Sequence, residues 1–181
     1  RRYTGFAIGG TDAYPAYTGT MFSIPAGASV AVGRNISLIS GRHTEEDAIR
    51  PTGSIFDVQG NLNFVQSTRI GGNISSADGG AIRVGQGGTV TISSALSIEN
   101  TRGADGGAIY NEGSVLVNGG GSLSITNASA AGDGDAVYQA GTFSLENGAS
   151  LSAAGTVYLT NDAHLTLASR AVTLTEPLNL D

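Results

Sequence analysis

Short apolar-x-apolar triplets recur along the whole chain, separated by runs of Gly, Asn, Ser and Asp. Each triplet is a minimal strand: its two outer residues face one side and its middle residue faces the other. One family comprises Phe22-Ser23-Ile24, Phe56-Asp57-Val58, Ile82-Arg83-Val84, Ile109-Tyr110-Asn111, Val137-Tyr138-Gln139 and Val157-Tyr158-Leu159. A second comprises Val30-Ala31-Val32, Leu62-Asn63-Phe64, Val90-Thr91-Ile92, Val115-Leu116-Val117, Phe143-Ser144-Leu145 and Leu165-Thr166-Leu167. The second follows the first by 8, 6, 8, 6, 6 and 8 residues, always an even number. A third family starts at Ile36, Ile70, Leu96, Leu123, Leu151 and Val172. The whole unit repeats after 34, 26, 27, 28 and 20 residues.

Three strands of three or four residues cannot bury an apolar side alone, but coils of them stacked in register can. The repeat therefore predicts an all-β fold, a right-handed parallel β-helix of about six coils with three short strands each, roughly 30 Å tall at about 4.8 Å per coil. A sandwich or up-and-down barrel would call for hairpin turns and longer strands. The three-beat spacing argues against both.

The glycines fall at the corners. Gly106-Gly107 precede a strand, Gly79-Gly80 stand 27 residues earlier, and Gly134-Asp135 take the place one coil later. Such positions call for positive φ and close approach to the next coil. Asn73, Asn100 and Asn127 are spaced by 27 residues and are expected to stack, their amides satisfying turn backbone. Asp78, Asp105 and Asp133 form a parallel column. These acids are weak candidates for a calcium site, because hard cations want clustered carboxylates. Turn capping explains them more simply, since the alternating Gly and Asp calcium repeat is absent and no cofactor is expected.

"NTRGADGGAIYNEGSVLV" and "NISSADGGAIRVGQGGTVTI" resemble the repeats of polymorphic outer-membrane protein passenger domains, which carry GGAI and a preceding Phe-x-x-Asn. They are also similar to the glycine-rich β-helix repeats of large bacterial adhesin-like surface proteins. The resemblance spans about Thr20 to Leu167 and is best over residues 70 to 138; Leu96 and Leu123 stand where the outer-membrane family prefers Phe. It implies an extracellular, cell-surface or secreted module serving as adhesin or stalk, and carries over no catalytic residues.

With 181 residues the chain is expected to form one domain, part of a longer surface protein, with residues 1 to 20 as a cap or incomplete first coil. Coils adjoining it in the parent chain would meet its ends. The net charge of -6 and a pI near 4.7 disfavour nucleic acid and anionic membrane as partners. No apolar run of about 18 residues suggests membrane insertion by this segment. Zero cysteines exclude disulfides and thiolate chemistry.

The middle residues of the first family point outward, which predicts a surface ladder of Tyr110, Tyr138 and Tyr158 continued by Arg83 and Asp57. Aromatic strips stack on sugars and an adjacent arginine pairs with carboxylate or sulfate, so this is the candidate contact surface for a glycan or a host or matrix protein. Stacked tyrosines also arise wherever repeats do, merely stabilising neighbouring coils. The alternative function, a carbohydrate-active β-helix lyase or hydrolase, needs converging carboxylates or a base beside a calcium cluster. Asp57 finds no acidic partner in its own family, the arginines are scattered, and His43 and His164 are 121 residues apart. No catalytic residue is assigned. The charged insertion Gly41 to Gly53 is either a recognition loop or a solvated excursion. Flat Thr columns of the kind that bind ice are not supplied by Thr91, Leu116 and Ser144.

Overall fold

Each triplet becomes a strand because its outer residues have a core to enter and its middle residue has water to face. The computed structural model describes residues 19–33, 36–39 and 53–181. The first coil holds β1 (Phe22–Ile24), β2 (Ser29–Val32) and β3 (Ile36–Ile39), and the second β4 (Phe56–Val58), β5 (Asn61–Phe64) and β6 (Thr68–Gly71). The third holds β7 (Ile82–Val84), β8 (Thr89–Ile92) and β9 (Ala95–Gly103), and the fourth β10 (Ile109–Asn111), β11 (Ser114–Val117) and β12 (Ser122–Ala130). β13 (Val137–Gln139), β14 (Thr142–Leu145) and β15 (Ser150–Ala153) form the fifth, and β16 (Val157–Leu159), β17 (His164–Leu167) and β18 (Ala171–Leu174) the sixth. β19 (Leu178–Leu180) begins one more turn.

Every third strand pairs in parallel, giving a seven-stranded first sheet and two six-stranded sheets. The fold is thus the all-β parallel β-helix that the repeat predicts, with Ile82, Ile109 and Val137 directly superposed. The chain's core is the column of inward side chains between the three sheets. Ile82, Ile92, Ile98, Ile109 and Ile125 are all at most 1% exposed, and burying a side chain of this size stabilises by about 1.5–3 kcal/mol. Phe22 stacks on Phe56 at 5.1 Å and Phe56 meets Phe64 edge-on at 5.8 Å.

Two expected superpositions are displaced. Leu96 lies over Thr68, and Ile70 pairs with Ile98, two residues along from the alignment that apolar residues alone suggest. Thr68 is buried in a core position, its hydroxyl donating to the Gln66 carbonyl at 3.1 Å. A polar atom satisfied by its own turn is as acceptable there as an apolar one. The second displacement concerns Asn73. Asn100 and Asn127 share a left-handed backbone, φ 52° and 50°, and the Asn127 amide donates to Asn100 Oδ1 at 2.6 Å. The residue beneath Asn100 is Gly72, φ 74°, which also donates its N–H to the Asn100 carbonyl. Gly and Asn are the residues that tolerate this conformation, so the column is Gly72, Asn100, Asn127. Asn73 turns inward, buried, and donates to the carbonyls of Gly53 at 3.1 Å and Gly80 at 2.6 Å.

That left-handed step bends β9 and β12 into a fourth short side, where Ala128 to Ala130 pair with Thr101 to Gly103. The Gly-Gly corner follows. Gly79, Gly106 and Gly134 have positive φ, and a Cβ on Gly107 would overlap the carbonyl oxygens of Ser129 and Asp135 in the coil above. Asp135 can stand in the equivalent place because the next coil is short there and supplies Thr156, whose hydroxyl pairs with the carboxylate at 3.2 Å and accepts from the Asp135 N–H at 2.7 Å. Residues 1–18 and 41–52, with the proposed cap, His43 and nearly all of the charged insertion, lie outside the described residues.

Candidate functional site

The first sheet carries its middle residues on an open face, in the order Ser23, Asp57, Arg83, Tyr110, Tyr138, Tyr158, Asn179. Strand register alone therefore brings the five sequence-predicted contact residues together. The rings of Tyr110 and Tyr138 stack at 4.7 Å and 10°, those of Tyr138 and Tyr158 at 5.3 Å and 20°. The Arg83 guanidinium lies 5.9 Å from the Tyr110 centroid, closing the column from below.

This arrangement alters the chemistry that the residue types suggest. Each inner ring face is already covered by a neighbour, so the strip offers ring edges and hydroxyls to a ligand in place of flat stacking surfaces. Arg83 is likewise engaged: it bonds Asp57 Oδ1 at 3.4 Å and Glu112 Oε2 at 3.3 Å. A sulfate or carboxylate would have to displace two carboxylates. Glu112, two residues beyond Tyr110 on the same face, is a member of the site that triplet reading passed over. Its spacing of two from an outward tyrosine was the available signal.

The electrostatics are acidic. Burial pushes the Tyr110 hydroxyl up to about 12, with Glu112 and Asp78 adding to it. Burial first, then Asp105 and Asp133, raises Tyr138. Tyr158 is raised by partial desolvation and by a hydrogen bond to the Asp181 carboxylate. The aspartate column thus lies close enough to add to the rise in the tyrosines that burial begins.

Asp78 and Asp105 have a structural task. Asp78 Oδ1 accepts the Asp105 N–H at 3.3 Å and Asp105 Oδ1 accepts the Asp133 N–H at 2.8 Å. Both accepting carboxylates, of Asp78 and Asp105, cap the turn of the next coil, not their own. Among the described residues no group of three or more His, Asp or Glu side chains converges in a way that could hold a metal ion. His164 sits exposed in β17. Thr91, Leu116, Ser144 and Thr166 share one outward column of the second sheet, Leu116 interrupting its hydroxyls. A hollow at the last coils is lined by Phe143, Leu151, Leu165, Val172 and Leu174, with Gln139 its one polar neighbour, and brings no reactive groups together.

Comparisons with protein-family models, characterised proteins and solved structures found no match to this chain.

Proposed function

We propose that this chain is a non-enzymatic, extracellular β-helix module, a rigid spacer on a cell surface or in a secreted protein that makes adhesive contact through the outer face of its first sheet. The partner is a glycan or a host or matrix protein. The observation that carries the reading is the in-register column of Tyr110, Tyr138 and Tyr158 on a solvent-facing sheet, ending in a neutralised Arg83. Ring edges and phenol hydroxyls give a row of donors and acceptors roughly 5 Å apart, matched to a repeating polymer lying along the helix axis. The flanking acids favour neutral or basic partners over sulfated ones. The repeats' resemblance to adhesin-like surface proteins points the same way.

The test is binding of the protein to a glycan array and to immobilised matrix proteins, with Tyr138→Ala and Tyr138→Phe alongside. Binding lost in the alanine variant and weakened in the phenylalanine variant supports recognition by ring and hydroxyl together. Equal binding by all three removes the strip from the account.

A further inference from the structure

The stack that closes the tyrosine faces to a sugar also holds three oxidisable phenols in line. We propose that Tyr110, Tyr138 and Tyr158 form an oxidative cross-linking site, at which a one-electron oxidant of the peroxidase class, driven by hydrogen peroxide, joins Tyr138 to a neighbour as dityrosine. This does not depend on the adhesive reading.

The geometry comes from the strands. Tyr110, Tyr138 and Tyr158 are direct parallel partners, fixed at the spacing of adjacent strands by Ile109 over Val137 and Val137 over Val157 in the core. Their rings lie within 10° and 20° of parallel, at 4.7 Å and 5.3 Å. All three side chains are only part-buried, so a diffusing oxidant reaches them. Tyr158 has a proton acceptor in place, the Asp181 carboxylate.

The chemistry balances. Two phenols each give up one electron to the oxidant and one proton to Asp181 or to water, leaving two phenoxyl radicals. Their unpaired spin resides partly on the ring carbons Cε1 and Cε2, beside the hydroxyl. One Cε of each ring forms the new C–C bond as a side chain rotates out of the stack, and the hydrogens on those carbons move to the phenolic oxygens, restoring both aromatic rings. The two electrons and two protons reduce one hydrogen peroxide to two waters. The product is a covalent staple between consecutive coils of the helix. Tyr110 and Tyr158 are two strands apart, so coupling between them does not occur, and Tyr138 is the required member.

The experiment treats dilute folded protein with a haem peroxidase and hydrogen peroxide, isolates the monomer, and maps cross-linked peptides by mass spectrometry beside dityrosine fluorescence. The expected result is Tyr110 to Tyr138 and Tyr138 to Tyr158 linkage within one molecule. Both disappear in Tyr138→Phe, which keeps the ring stack, and in wild type oxidised while unfolded in urea. Circular dichroism confirms that the variant is folded. Oxidised monomer without either linkage overturns the proposal. So do linkages confined to Tyr3, Tyr14 or Tyr17, linkages between different molecules only, or equal ladder linkage in the unfolded chain.

Discussion

Asn111 and Gln139 occupy a core column that is otherwise aliphatic, with Val58 and Val84 below and Leu159 above. They are 0% and 1% exposed. The Asn111 amide donates to Gln139 Oε1 and to the Thr142 carbonyl, both at 2.9 Å, while Asn111 Oδ1 and Gln139 Nε2 have no partner. Replace each by its neighbour's residue, Asn111→Val and Gln139→Leu, singly and together. Asn111→Val strips Gln139 of its one hydrogen bond and leaves a whole amide buried unpaired, a loss of about 1–3 kcal/mol. Gln139→Leu leaves Asn111 its bond to Thr142, so its loss is smaller, about 1 kcal/mol. The double variant removes both amides, including the two atoms that had no partner, and should be as stable as wild type or more so. The coupling between the sites is then about 2–4 kcal/mol, at or above the upper end for contacting residues. Urea unfolding of the four proteins, followed by circular dichroism and tyrosine fluorescence together, measures it; coincident transitions are needed because coils of a solenoid can separate. For a chain of this size 1 kcal/mol moves Tm by about 2–4 °C. Losses that simply add would refute the reasoning, for they would mean that each amide acts on its own account.

Two further outcomes follow from the site. Asp105→Asn keeps an acceptor for the Asp133 N–H and should leave Tm unchanged in the presence or absence of calcium, whereas Asp105→Ala should lose about 0.5–1.5 kcal/mol; a calcium-dependent Tm abolished in Asp105→Asn would instead establish a metal site. All three ladder tyrosines have folded pKa values above the ordinary 10, Tyr110 at about 12, so their contribution to stability is complete below pH 10 and is lost as pH rises towards 12. Tyrosinate absorbance should show Tyr110 ionising near 12, a signal shifted to lower pH in urea, and a titration identical in folded and unfolded protein would contradict the burial of the ladder.

Much of this molecule could be read from its letters because solenoid geometry is nearly one-dimensional. Once 109 and 137 are known to stack, Tyr110 must lie under Tyr138, and the site's backbone positions follow without any long-range guess. The reading failed where a position was defined by something other than an apolar side chain. Thr68 holds a core place through a hydroxyl bond to its own turn, so apolar triplets alone misplace that coil by two residues. Gly72 and Asn100 share a backbone conformation, not a side chain, and matching like letters selected Asn73 in its place. Charge pairing was equally hidden. Glu112 belongs to Arg83 only because adjacent coils set their outward positions side by side, and the covered ring faces depend on stacking distances that spacing alone does not supply.

The even intervals between the first and second strand families have a mechanical cause. The corner between them takes two forms. Pro25–Ala28, Gly85–Gly88 and Thr160–Ala163 are four-residue turns, each closed by an N–H to carbonyl bond of 2.9–3.0 Å from its last residue to its first. Gln59-Gly60, Glu112-Gly113 and Ala140-Gly141 are two-residue corners, in which both N–H groups converge on a single carbonyl of the coil below in the cases of Ile24 and Asn111. Two and four differ by one strand period, so either form delivers the next strand with the same face inward, whereas three would turn Val115 and Val117 out to water. The corner from third sheet to first has no such restriction, since residues 72–81, 104–108 and 131–136 lie between the strands of the two sheets. There the chain shortens to residues 154–156 and 175–177 without disturbing any register. Length variation of more than two residues is therefore confined to the side that carries Asp78, Asp105 and Asp133. The first sheet keeps its strands in register, the property on which both the contact surface and the phenol stack depend.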